Sequence, residues 1–78
     1  MKGYALLFSN ADDGYFYAVS VQDYLRGERY RDLNDLPRLI ETRKQGEKLL
    51  QDARQRLEEL IREDEINVTA VELDEVTE

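Results

Sequence analysis

A single amphipathic segment, Asp35 to Glu63, constrains this chain more than any other feature. Its apolar residues Leu36, Leu39, Ile40, Leu49, Leu50, Ala53, Leu57, Leu60 and Ile61 recur at helical spacing. The series Leu36, Leu39, Arg43, Gly46, Leu50, Ala53, Leu57, Leu60 steps by three and four without a slip, the register of a coiled-coil seam. Arg43 and Gly46 are unsuited to a strong seam, while Ile40, Leu49 and Ile61 widen the stripe, as packing on a sheet requires. Asn34 or Asp35 can cap such a helix, and Pro37 fits its first turn. Roughly 28 helical residues span about 42 Å, whereas a strand of about eight residues covers about 26 Å. The spacing therefore predicts one continuous or gently kinked helix that overhangs its sheet, with the overhang packed on a second copy. The alternative is a break at Arg43–Gly46 and a compact monomer. A glycine there also lets another backbone approach closely.

The flanks read as strands. Residues 3–9 are aromatic and apolar, residues 10–14 (Asn-Ala-Asp-Asp-Gly) carry hairpin-turn chemistry, and residues 15–22 are rich in Tyr, Phe and Val. Neither face of this hairpin is properly polar, since Tyr15, Tyr17, Val19 and Val21 alternate with Phe16, Ala18 and Ser20. One helix covers one face, so the other is a candidate contact surface. Residues 28–31 suggest a short third strand, in competition with a turn of helix running from near Asp23 to Gly27. Residues 66–73 suggest a last strand whose pattern switches face at Val71 and Leu73, followed by an acidic tail at 74–78. The acids Glu63-Asp64-Glu65 oppose the macrodipole at the helix C-terminus and predict fraying there. The expected fold is α+β in one domain, residues 1–78: an antiparallel sheet of three to four strands in order β-β-(β)-α-β, with the long helix on one face.

Composition limits the chemistry. The 78 residues include no Cys and no His, so disulfides, Cys/His zinc sites and the usual activated nucleophiles are excluded. The glycines are isolated, so no phosphate-cradling loop exists. Asp12-Asp13 could hold a hard cation, but adjacent acids before a glycine are ordinary turn chemistry. No catalytic, metal or cofactor residues are assigned. The longest apolar run, Tyr4–Phe8, falls far short of the roughly 20 residues of a membrane span. No leader pattern opens the chain, and the expectation is a soluble, intracellular, cytoplasmic protein.

The net charge of −7 is uneven: residues 1–25 carry −2, residues 26–56 carry +3 and residues 57–78 carry −8. Glu58, Glu59, Glu63, Asp64 and Glu65 form a dense acidic patch suited to a basic protein partner. On the helix, Glu58 and Arg62 are spaced for an ion pair. Arg26, Arg29 and Arg31 with Tyr24 and Tyr30 form a basic-aromatic patch able to bind phosphate. Glu28 and Asp32 interrupt it, so pairing with the acidic C-terminal third is the favoured use and nucleic acid is disfavoured.

The opening Met1-Lys2, Asp13-Gly14 and Tyr15-Phe16-Tyr17-Ala18-Val19 resembles the start of HicB-type antitoxins. That resemblance covers roughly the first twenty residues and implies a hairpin, a further strand, a helix and a last strand, with toxin binding as a function. The chain departs from the family pattern after the second strand, having Gln22-Asp23-Tyr24-Leu25-Arg26 in place of Pro-Asp-Leu-Pro-Gly. The functional expectation is a non-enzymatic interaction module. It forms a homodimer through Leu50, Leu57, Leu60 and the Tyr15/Tyr17 face. The alternatives are an acidic, antitoxin-like inhibitor and a weak phosphate binder.

Overall fold

The computed structural model describes residues 2–77. Strands β1 (Gly3–Asn10) and β2 (Gly14–Ala18) form the expected hairpin, with Leu7 opposite Tyr17 and Ser9 opposite Tyr15. The turn is held by Asn10, whose Oδ1 accepts from the Asp12 N–H at 2.8 Å, and closes on Gly14 at φ +89°. Helix α1 (Val21–Leu25) follows at once, then a 3₁₀ turn (Leu33–Asp35), helix α2 (Arg43–Arg62) and strand β3 (Ala70–Val76). The sheet is antiparallel and three-stranded in the order β2-β1-β3, so the first strand lies in the middle. Helix α2 covers the face bearing Leu6, Phe8, Val71 and Leu73, and the fold is α+β. Among the described residues, no helix is long and apolar enough to cross a membrane.

Four local expectations are corrected. Strand β2 stops at Ala18, short of residue 22, because Ser20 turns into an N-cap: its hydroxyl accepts the Asp23 N–H at 3.2 Å. Residues 28–31 form no strand. The competing helical turn is present as α1, closed by Gly27 at φ +89°, and only Tyr30 pairs with Tyr17, through backbone bonds of 2.6 and 2.8 Å. The last strand runs Ala70–Val76 rather than 66–73, so Asp74, Glu75 and Val76 belong to the sheet and not to a tail. Its apparent face switch disappears in that register, with Val71 and Leu73 toward α2 and Glu72 and Asp74 on the other side.

The largest correction concerns the helix start. Asp32 caps the 3₁₀ turn, and Pro37 forces the preceding Leu36 into extended backbone at φ −63°, ψ 134°. The chain then stays extended, and Ile40 exchanges backbone bonds of 2.9 and 2.8 Å with Tyr4. Ile40 thereby enters the core. The true N-cap is Thr42, whose Oγ1 accepts the Gln45 N–H at 3.2 Å. Helix α2 has 20 residues and is unbroken through Gly46. At about 30 Å it matches β1, and the overhang vanishes.

The far end of α2, where the acids predict fraying, closes in a hydrogen-bonded turn. The Asp64 N–H donates to the Ile61 carbonyl at 3.1 Å and the Glu65 N–H to the Leu60 carbonyl at 3.0 Å. Asp64 adopts φ +58° between them. That closure satisfies the orphan carbonyls of the last turn.

Candidate interaction surfaces

Helix α2 leaves one side of the sheet open. Leu7, Tyr15, Tyr17, Glu72 and Asp74 share it by strand alternation, and Tyr30 joins them as the direct cross-strand partner of Tyr17. Tyr15 is 49% exposed, and its ring meets that of Tyr17 edge-to-face at 5.8 Å. The connection after Tyr30 lies alongside: Leu33, Leu36 and Leu39 form a wall of a groove of about 670 Å³ whose other walls include the two tyrosines and Val76. Gly3 admits this connection, since a Cβ there would lie 2.7 Å from the Leu39 Cβ and 2.8 Å from the Ile40 carbonyl oxygen. The Tyr17 hydroxyl is pushed above its usual value, first by burial and then by the Asp74 carboxylate beside it.

The five residues expected at an interface divide. Tyr15 and Tyr17 border the groove, and Leu50 is half-buried against the core. Leu57 and Leu60 are 3% and 5% exposed, consumed by the chain's own core with Ala53 and Val71. The groove beside the tyrosines also takes in Leu33, Leu36 and Leu39. The three leucines carried a visible spacing of three, but it reads as helix until Pro37 is allowed to extend Leu36.

The acids Glu58, Glu59, Glu63, Asp64 and Glu65 are all exposed. Glu59 pairs with Arg56 at 3.4 Å, whereas the expected Glu58–Arg62 pair is absent among the described ion pairs. Glu58 instead borders a groove of about 310 Å³ between α2 and β3, with Arg54, Ile61 and Glu72. Ile61 is 41% exposed there.

The basic patch is turned inward on the chain's own first half rather than on its acidic third. Arg26 pairs with the buried Asp23 and, at 3.1 Å, with Glu28. The hydrogen bond to Asp23 and the charge of Glu28 raise its already high pKa. Arg38 stands 3.8 Å from Asp23. The Arg29 guanidinium lies 4.5 Å from the Tyr24 ring centre and 5.5 Å from that of Phe16, and Arg31 lies 4.7 Å from Phe16 while donating to the Asp13 carbonyl. Such stacking suits a structural strut as well as a phosphate fork. Asp12 accepts from the Asn67 amide at 2.9 Å, which ties the hairpin turn to the approach of β3.

The chain matches no protein-family model, no curated protein and no solved structure. The further strand implied by the likeness to HicB-type antitoxins is reduced here to the single Tyr30 bridge.

Proposed function

We propose that the protein is a non-enzymatic binding module that acts by docking on polypeptide, and that its open tyrosine face joins two copies. The observation that carries this reading is the groove of about 670 Å³ on the sheet face that α2 leaves uncovered. Tyrosines at such a site supply large contact area at low entropic cost, and they anchor interfaces. Arg31 and Asp32 sit side by side on the rim, so the patch is self-complementary in charge, as a two-fold contact needs. The absence of His and Cys supports the non-enzymatic part. Light scattering over a concentration series tests it. A dimer that Tyr15→Asp returns to the 9.2 kDa monomer supports the reading, and a monomer at all concentrations removes it.

A second reading rests on the exposed acids at the end of α2, which suit capture of a basic protein surface. Converting Glu63, Asp64 and Glu65 to their amides then weakens capture, and unchanged capture dismisses the patch. Phosphate or nucleic-acid binding by Arg26, Arg29 and Arg31 draws less support, because all three already engage neighbours within the chain.

A further inference from the structure

The two edges of the sheet are not equivalent. On the outer side of β2, Tyr30 bonds to Tyr17 in both directions. The outer side of β3 has no pairing strand among the described residues, which leaves seven residues of edge. An open edge presents N–H and C=O groups in register for another strand. Beside this edge lies the groove of about 310 Å³ whose helical wall includes Glu58 and the exposed Ile61.

The side chains around the edge specify what would fit. A strand added beside β3 would alternate its side chains across the sheet. On the α2 side they would meet Ile61 and Val71, flanked by Arg54 and Glu58. On the open side they would stand beside Glu72 and Asp74, two carboxylates in alternation. Apolar residues alternating with Lys or Arg satisfy both sides at once. A second copy fails on the open side: two β3 strands paired antiparallel about Leu73 would set Glu72 of each opposite Asp74 of the other. Like charges directly opposite are destabilising. Nucleic acid is repelled by the same carboxylates.

We propose that the outer edge of β3, with the α2 groove beside it, receives an extended segment of another protein as a fourth strand, apolar toward Ile61 and basic toward Glu72 and Asp74. This deepens the capture of a basic partner suggested above, and it shares with the tyrosine face the Asp74 carboxylate that stands beside the Tyr17 hydroxyl.

Fluorescence anisotropy of a labelled peptide of alternating Lys and Val, about eight residues to match the edge, tests it. The alternating peptide should bind, and the same peptide N-methylated at every residue should bind at least about tenfold more weakly, because both its strand edges are blocked. Glu72→Lys should weaken binding by about tenfold, while Tyr15→Ser leaves it unchanged and so separates this edge from the tyrosine face. Slowed amide exchange confined to β3 on peptide addition would place the peptide at the edge. Three results overturn the proposal. One is no binding by the alternating peptide. Another is equal binding by its N-methylated form, which means charge attraction alone. The third is a β3-mediated dimer that the peptide dissociates, which assigns the edge to a second copy.

Discussion

Gly46 lies under the side chain of Leu73, and replacing it tests how α2 sits on the sheet. A Cβ at this position would stand 2.6 Å from the Leu73 Cδ1, 3.1 Å from its Cδ2 and 3.4 Å from its Cγ. Two effects oppose one another in Gly46→Ala. Alanine gains about 1 kcal/mol of helix propensity over glycine. Forcing a methyl into an occupied site costs about 1–3 kcal/mol. The clash is with the end of a side chain that is only half-buried, so how far Leu73 gives way sets the cost within that range. The single substitution is therefore expected to be neutral to destabilising by about 2 kcal/mol. Leu73→Ala removes the obstacle, and in that background Gly46→Ala should stabilise by about 1 kcal/mol. Urea unfolding of the four proteins, followed by circular dichroism, gives the coupling energy, expected at about 1–3 kcal/mol. If Gly46→Ala alone stabilises by the full propensity gain, Leu73 moves aside freely. The close approach of helix to strand would then not be what the glycine serves.

Three further outcomes follow from the core, the helix end and the open face. Leu57→Ala should lose about 2–5 kcal/mol in the same urea experiment, and Leu57→Asp should unfold the chain rather than release a folded monomer. Asp64→Gly should gain about 0.5–1 kcal/mol, read as a higher thermal midpoint, because glycine takes the φ of +58° without a Cβ penalty. The Tyr17 hydroxyl has its folded value raised above 10.0 by burial and by Asp74, so the fold favours the protonated phenol. Its contribution is complete below about pH 10 and is lost as pH rises through the folded value. Thermal midpoints at about pH 8 and about pH 11 should thus fall more steeply for the wild type than for Tyr17→Phe. Parallel falls would deny the shift.

Where the sequence could be read, the signal was local. The β1–β2 hairpin needed only Asn10, Gly14 and a run of aromatic residues, all within sixteen positions of one another. The α2 stripe was legible from Leu49 to Leu60 because burial of Ala53, Leu57 and Leu60 follows the period of the helix itself, whereas Ile61, expected to widen it, is exposed. The N-terminal third of the supposed helix misled for a definable reason. Leu36, Leu39 and Ile40 fit a helical stripe by spacing, and Asn34, Asp35 and Pro37 look like a start. Pro37 also restricts the residue before it, and that local restriction was outvoted by the pattern. Asp32 and Thr42, each a capping residue, bracketed the true connection, a 3₁₀ turn followed by extended chain from Leu36.

The candidate surfaces were less legible because each depends on which strands lie side by side. Tyr15 and Tyr17 stand out in the sequence, but nothing local places Leu39 and Val76 around the same groove. That follows from Gly3, which pairs with Val76 and lies against Leu39 at once. Likewise, the heptad series read Leu57 and Leu60 as a seam for a second chain, and in the fold they face β1 and β3. A stripe on a helix states that something must cover it and not whether the cover comes from the same chain. The decisive term is the length of the helix against the length of the sheet. With 20 residues rather than 28 or so, the chain's own sheet suffices, which leaves the tyrosine face and the β3 edge as the places proposed for a partner. The two differ in what they demand of it: the first rewards shape and aromatic area, the second a free backbone edge and positive charge. Salt therefore separates them, weakening association at the edge more than at the tyrosines.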